Sequence, residues 1–217
     1  MINLVNLSTP TVSASPVALR SNLEFHGLAV VSSDGYIGRS PTDITFDWSS
    51  GADKQHFFNA LDLSSLCIMG RKTHELYPNR GNRPRLVISR IAPDGMTDPH
   101  DPHAVYCNVD ALAPHELLQR IVSTFSGVME RSICVLGGSE IYELFLHHPC
   151  LGFDRFDLTV ETNITHLTGV SLLPATAGSG IEGLVQTLQR SGLWQTSHTN
   201  LSSTTTLISL SNKGLPT

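Results

Sequence analysis

Long hydrophobic runs are missing from this chain of 217 residues. A membrane-spanning helix needs about 18 or more consecutive apolar residues, and no part of the sequence supplies them. Positive charge is also scarce, because 14 Lys and Arg stand against 19 Asp and Glu and the net charge is −5. A general nucleic-acid binder would carry a basic stripe instead. We therefore expect a protein that binds neither a membrane nor nucleic acid.

Cysteine pairs of the C-x-x-C type are absent as well. The four cysteines, at 67, 107, 134 and 150, are widely spaced, so free, buried thiols in a reducing cytoplasm are the expected state. The segment 98–103 contains two Asp and two His, but its two prolines would break a helix that could align them. We expect a solvated loop there, and no metal site.

The chain length suits one domain with a substantial core. Residues 1–22 are rich in Ser, Thr, Pro and Asn, and no basic residue precedes Arg20, so the charged start of a secretory signal is lacking. We predict a flexible N-terminal extension over 1–22 and a single domain over 23–217.

Apolar runs of strand length alternate with segments of helical spacing, which predicts an α/β fold. The sequence predicts one three-layer domain with a mostly parallel central sheet, helices on both faces and an antiparallel C-terminal strand. Strands are expected over 25–32, 66–69, 85–89, 104–107, 132–136, 155–161 and 204–210. Helices are expected over 49–61, from 70 to about 77, over 114–129 and 139–146, and after 180; residues 91–103 are expected to be a loop.

Two junctions of strand, glycine and helix stand out. Gly137 and Gly138 follow the apolar run 132–136 and precede the helical segment 139–146, and Gly70 stands in the same way before residues 71–76. Bare glycine backbone lets an anion approach closely, and the first amide N–H groups of a helix have no partner within the helix. Each junction therefore predicts a phosphate site.

Cations lie beside these junctions. Arg71 and Lys72 occupy a first helical turn, where the helix dipole disfavours positive charge unless an anion is bound. Ser89 and Arg90 end a third apolar strand. Three strands that each end in phosphate-compatible chemistry predict a ligand across the carboxyl edge of an open α/β sheet.

Six short motifs occur in the order typical of one superfamily. They are residues 33–38 (SDGYIG), Trp48 five residues before Asp53, 68–73 (IMGRKT), 87–90 (VISR), 136–142 (LGGSEIY) and 157–159 (DLT). With them, residues 25–162 resemble the dihydrofolate reductase-like superfamily, and the similarity continues more loosely towards the C-terminus. That superfamily includes dihydrofolate reductase and the pyrimidine reductase domain of riboflavin biosynthesis.

The resemblance implies an NADPH-dependent reductase. The implied cofactor-binding residues are Ile37, Gly38, Gly70, Arg71, Lys72, Thr73, Ser89, Arg90, Gly137, Gly138, Ser139, Glu140, Ile141 and Tyr142. Ser89 and Arg90 would hold the adenosine 2′-phosphate, Ile37 and Gly38 would belong to a mobile loop over the nicotinamide, and the peptide between the paired glycines should be cis.

Asp53 falls where these enzymes keep one active-site carboxylate, and Thr159 matches the threonine that supports it. These two are the expected catalytic residues, because hydride attack on a C=N carbon is aided by a positioned proton. The expected substrate contacts are Val30, Trp48, Lys54, Phe57 and Arg83, with Arg80 and Arg85 as competitors for the place of Arg83. A small-molecule substrate is the expected partner, and a homodimer is a further expectation.

The substrate itself stays open at this point. Lys54 stands where folate enzymes are apolar, and three arginines between 80 and 85 would give the pocket a basic end with little apolar wall. Such an end suits a phosphate better than an aryl group. We therefore expect a riboflavin-pathway-like reductase of 5-amino-6-(5-phosphoribosylamino)uracil; dihydrofolate reductase and a non-catalytic nucleotide-binding relative are the alternatives.

Overall fold

The computed structural model describes residues 20, 23–124 and 132–212. The predicted extension over 1–22, apart from Arg20, and the predicted helical residues 125–129 therefore lie outside the described residues. Strands are β1 Glu24–Ser32, β2 Tyr36–Gly38, β3 Leu66–Gly70, β4 Arg85–Ser89, β5 Thr97–Asp98, β6 Asp101–Asn108, β7 Ser132–Val135, β8 Arg155–Glu161, β9 Val170–Ser171, β10 Leu193–Asn200 and β11 Thr205–Asn212. The α-helices are α1 Gly51–Asp62, α2 Arg71–Leu76, α3 Pro114–Ser123, α4 Ser139–His147 and α5 Gly180–Arg190, and short 3-10 helices cover Thr45–Asp47, Val109–Ala111 and Pro174–Thr176.

A nine-stranded sheet in the order β10-β11-β8-β1-β7-β3-β4-β6-β5 forms the centre of the molecule. The six strands β8, β1, β7, β3, β4 and β6 are parallel to one another. The outer strands β5, β10 and β11 pair antiparallel. The carboxyl ends of the parallel strands consequently meet at one edge of the sheet, where ligands bind in open α/β folds.

Helices cover both faces of this sheet. On one face the main core contains Leu118 of α3, Phe145 of α4 and Leu188 of α5, packed on strand residues such as Phe25 and Ile68. On the other face Leu61 of α1 packs with Leu28, Cys67, Met69 and Cys134. Because successive side chains of a strand alternate between faces, β3 contributes to both cores. The predicted three-layer α/β architecture with its antiparallel C-terminal strand is confirmed.

Three parts of the fold differ from the sequence prediction. The expected loop 91–103 contains β5 and the start of β6, which form an antiparallel hairpin. Strand β10 was not expected, because seven of its eight residues are exposed and polar residues dominate it. The small sheet of β2 and β9 was also missed, since strands of three and two residues carry no periodicity.

All four cysteines are free thiols, and three of them are buried, as predicted. None of the helices in the described part of the chain has the length and apolarity needed to span a membrane.

Candidate functional site

A cleft of about 1370 Å³ opens along the carboxyl edge of the parallel strands. Its wall includes Val30 of β1, Gly70 of β3, Ser89 of β4, Gly138 after β7 and Thr159 of β8. Most of the residues expected at a site line this cleft: Val30, Ile37, Gly38, Asp53, Phe57, Gly70, Arg71, Lys72, Thr73, Arg83, Ser89, Arg90, Gly138, Ser139, Glu140, Ile141, Tyr142 and Thr159. The tertiary structure thus brings together segments that are far apart in sequence.

The two glycine junctions lie side by side. The amide N–H of Gly70 donates to the carbonyl oxygen of Gly137 at 2.7 Å, and the peptide between Gly137 and Gly138 is cis, as predicted. Neither α2 nor α4 has a side-chain N-cap, since Gly70 and Gly138 hold those positions. A Cβ on Gly138 would meet only the Thr73 hydroxyl, 3.9 Å away. Two uncapped helix starts therefore face one open space.

Gly137 itself does not line the cleft. A glycine is needed at this position because of its backbone conformation. Its φ is +83°, and a Cβ there would lie 2.4 Å from the ring of Tyr142. Tyr142 is buried, and its hydroxyl donates to the Leu28 carbonyl oxygen at 2.6 Å. Burial raises the pKa of this phenol. These contacts give both residues a structural part in shaping the junction.

The arginines at this end have acidic partners on the protein. Arg71 pairs with Glu75 at 2.6 Å, and Arg90 pairs with Glu140 at 2.9 Å across the cleft wall. Both pairs are partly exposed, so each arginine can exchange its carboxylate for a bound anion at small cost. Glu75 thus provides a partner for Arg71 in this structure, and the expectation of an anion beside Arg71 and Lys72 stays a prediction.

The hydroxyl of Ser89 is used within its own turn. It accepts hydrogen bonds from the amides of Ile91 and Ala92 at 3.2 and 3.1 Å, and the residue is buried. Ile37 and Gly38, expected in a mobile loop, belong to β2, and Gly38 pairs with Val170 of β9. Ser139 ties the start of α4 to the same small sheet through a 2.6 Å bond to the Ser171 carbonyl.

Asp53 occupies the first turn of α1, and only 4% of its surface is exposed. Ser50 caps this helix, and its hydroxyl accepts from the Asp53 amide at 3.1 Å. Burial raises the pKa of the Asp53 carboxyl to about 6, although the neighbouring hydroxyls of Ser49 and Thr159 act in the opposite direction. A carboxyl with this pKa can hold or release a proton near neutral pH.

Helix α1 contacts β8 at three levels. The Ser50 amide donates to Glu161 at 2.7 Å, Asp53 lies beside Thr159, and His56 Nε2 lies 3.0 Å from Asp157 Oδ2. Positions three apart on a helix share a face, as do positions two apart on a strand. Glu161, His56 and Asp157 were missed by the sequence analysis. The signal for the two strand residues was the series Asp157, Thr159 and Glu161, which alternates with the apolar residues Leu158 and Val160.

Four aromatic rings form a cluster on the wall of the cleft. Phe46 lies 5.5 Å from Phe57, 5.7 Å from Phe58 and 5.2 Å from Tyr77, measured between ring centroids. All four belong to the cleft wall. The prediction of little apolar wall at the substrate end is therefore wrong, and it failed because Phe46 and Tyr77 come from segments outside α1.

The expected cations are only partly in place. Arg80 and Arg83 line the cleft, and Arg83 pairs with Asp62 of α1. Arg85 also reaches the wall, but it is buried and donates to His74 and to the Tyr77 carbonyl oxygen. Lys54 does not line the cleft.

Trp48 also lies off the cleft wall. Its ring stacks edge-on against His166, with centroids 4.9 Å apart. Its indole nitrogen is buried and has no hydrogen-bond partner among the described residues. In this structure Trp48 and Lys54 therefore do not lie on the cleft wall, where they were expected to contact the substrate.

The chain shares its overall fold with proteins of known structure. No protein-family model and no curated protein matches the chain. Solved structures with the same fold include a protein assigned to riboflavin biosynthesis from Shewanella sp. PV-4, with a TM-score of 0.61 and 14% identity, covering 88% of this chain and 99% of that one. A diaminohydroxyphosphoribosylaminopyrimidine deaminase/5-amino-6-(5-phosphoribosylamino)uracil reductase from Thermotoga maritima has a TM-score of 0.62 and 14% identity, covering 90% of this chain. This chain spans 58% of the length of the Thermotoga protein. At such identity the likeness is one of fold.

Proposed function

We propose that the protein is an NADPH-dependent reductase that delivers a hydride to a C=N group, or its ring-opened equivalent, of a pyrimidine or pteridine. The single observation that carries this proposal is the position of Asp53. A buried carboxyl with a pKa of about 6 faces the same cleft as the two uncapped helix starts at Gly70 and Gly138. One end is suited to proton transfer and the other to phosphates.

The residues at the glycine end fit such a cofactor. Backbone amides at the starts of α2 and α4 would hold the phosphates, because no side chain caps them and no Cβ fills the space at Gly138. Arg71, Lys72 and Arg90 line the same end and supply positive charge. NADPH would supply the hydride. The residues of the chain would bind and orient the cofactor and the substrate, and would hold or release the proton.

Asp53 is the residue that would manage the proton. Reduction of a C=N group takes up one hydride and one proton, and the nitrogen must be protonated or hydrogen bonded when the carbon is attacked. Asp53 can carry that proton near neutral pH, since burial raises its pKa to about 6. Thr159 lies beside the carboxyl on the cleft wall and would help to keep it directed towards the cleft.

The proposed substrate is 5-amino-6-(5-phosphoribosylamino)uracil. The names of the structural neighbours support this choice at the level of fold. Arg80 and Arg83 on the cleft wall would suit its phosphate. Dihydrofolate is the second candidate, because the wall of Phe46, Phe57, Phe58 and Tyr77 would suit its aryl group.

NADPH oxidation measured with each substrate tests the proposal. We expect steady oxidation with the phosphoribosylaminouracil, little with dihydrofolate, and none without substrate. Asp53→Asn is the control, and it should retain NADPH affinity. Faster turnover of dihydrofolate would favour the second candidate. Binding of NADPH without turnover of either compound would contradict the reductase proposal and favour a nucleotide-binding relative.

A further inference from the structure

The third contact between α1 and β8 has no part in the reaction proposed above. His56 Nε2 lies 3.0 Å from Asp157 Oδ2, and both residues line the cleft. His56 stands three positions after Asp53, so the two side chains share one face of α1. They are separated by about 4.5 Å along the helix axis. Both residues line the cleft from the same helix.

Asp157 is a fully buried carboxylate that accepts from Arg155 and contacts two histidines. Arg155 donates to it at 2.8 Å and 3.1 Å, and the ring nitrogen of His26 lies 3.1 Å from Oδ2. Burial alone would raise the pKa of Asp157, but the contacts with His26, His56 and Arg155 lower it well below its ordinary value. An ionised carboxylate only accepts hydrogen bonds. The proton in the contact with His56 is therefore on Nε2.

The contact with Asp157 determines which ring nitrogen of His56 is left to form a hydrogen bond with a ligand. With the proton on Nε2, a neutral imidazole carries a lone pair on Nδ1 and can accept there. Within residues 23–124 and 132–212 nothing forms a hydrogen bond with His56 Nδ1. His26 is the contrasting case, because it contacts the same carboxylate but does not line the cleft.

We propose that His56 is a substrate-contacting residue, held by Asp157 so that its Nδ1 atom accepts a hydrogen bond from an N–H or amino group of the substrate ring. The inference rests on the proposed reductase function. Asp157 is the positioning residue in this arrangement. An aminopyrimidine or aminopteridine satisfies Nδ1, whereas a ring that presents only a carbonyl oxygen there places two lone pairs together and is disfavoured.

The test compares His56→Gln with His26→Gln. A Gln amide can still donate to Asp157 through Nε2, and its carbonyl oxygen then lies on the side away from the place of Nδ1, so the acceptor at that place is lost. We expect His56→Gln to raise the KM for the phosphoribosylaminouracil about tenfold, the effect of one lost hydrogen bond. The kcat should change less than about twofold, and the Kd for NADPH should not change. His26→Gln should leave the KM near that of the unmodified protein. Equal KM values for the two variants would mean that the histidines serve only the fold.

Nuclear magnetic resonance provides a reading that does not depend on turnover. The imidazole signal of His56, identified by its loss in His56→Gln, should shift when the phosphoribosylaminouracil is added without NADPH, and that of His26 should not. Turnover by the unmodified protein with an unmoved His56 signal would overturn this inference alone. Neither turnover nor a shift with the phosphoribosylaminouracil or with dihydrofolate would overturn the proposed function and the inference together.

Discussion

The two ends of the cleft are built by different means. At the glycine end, recognition depends on backbone: the Gly70 amide donates to Gly137, and two helices begin without side-chain caps. At the carboxyl end it depends on side chains, since Asp53 and His56 of α1 meet Thr159 and Asp157 of β8. The first end is formed by short contiguous motifs. The second is formed by residues about a hundred positions apart.

This difference has a physical consequence. Backbone amides have fixed partial charges that do not titrate, so the glycine end should behave alike across the neutral pH range. Buried side chains titrate according to their surroundings. At this end of the cleft, the pKa values of two buried carboxyls are shifted in opposite directions. The pKa of Asp53 is raised and that of Asp157 is lowered. Proton chemistry is thereby concentrated at one end of the cleft.

The largest expected effect is that of Asp53→Asn on turnover. Removing the proton carrier should lower kcat by about 10²–10⁴-fold, the usual contribution of a general acid or base. The glycine end is untouched, so the Kd for NADPH should not change. Stopped-flow kinetics and NADPH titration measure the two quantities separately. Near-normal turnover on a verified substrate would show that Asp53 is not the proton carrier.

The next effect concerns the backbone of the glycine end. Gly137→Ala places a Cβ at a φ of +83° and 2.4 Å from Tyr142. Left-handed backbone and overpacking together should lower the free energy of unfolding by about 2–5 kcal/mol. The matched control is Gly138→Ala, where the nearest atom would be 3.9 Å away. Urea unfolding of the two variants measures the difference, and an equal loss in both would contradict this account.

A third prediction concerns pH and stability. The pKa of Asp53 is raised from 3.8 to about 6 in the folded protein, so the folded state binds the proton more tightly than the unfolded chain does. The stabilisation from this group is present below pH 4 and is lost as the pH rises towards 6. It amounts to at most about 3 kcal/mol.

The difference in unfolding free energy between Asp53→Asn and the unmodified protein isolates this effect. That difference should change between about pH 4 and 6 and stay constant above. Asp157, with its lowered pKa, acts in the opposite sense, because its stabilisation is lost as the pH falls into the acid range. A pH-independent difference for Asp53→Asn would show that the carboxyl is not perturbed.

The smallest expected effect is on the choice of cofactor. Arg90→Ala should reduce the preference for NADPH over NADH by about fivefold to tenfold, because an exposed charge-assisted contact to the 2′-phosphate is lost. Arg39→Ala is the matched control: both arginine side chains are 62% exposed and paired with a carboxylate, and Arg39 does not line the cleft. Fluorescence titration measures the cofactor preference. An equal preference in the unmodified protein and the two variants would show that Arg90 does not contact the 2′-phosphate.

Much of the fold was predictable because its signals are local. The apolar run at 132–136 predicted β7, the segment 155–161 predicted β8, and Gly137 and Gly138 predicted the helix start of α4. Strand β10 was not predictable, since its exposed polar residues become a strand only by pairing with β11. The same holds for the hairpin of β5 and β6.

The candidate site divides in the same way. Asp53 was found through its spacing from Trp48 in a motif, but its raised pKa results from burial and from the nearby charge of Glu161, while Ser49 and Thr159 act to lower it. Trp48 itself packs against His166, a partner that no local pattern indicates. The aromatic wall was missed for the same reason, because Phe46 and Tyr77 meet only in the folded chain.

The sequence by itself determined where strands end in glycine and helices begin, because backbone conformation and helix capping depend on a few adjacent residues. It therefore predicted the anion-binding end of the cleft. Only the tertiary structure decided which side chains face one another across α1 and β8, and so which carboxyl keeps a proton near neutrality and which stays ionised. Burial and the charges of distant neighbours set a pKa, and neither is written in the local order of residues.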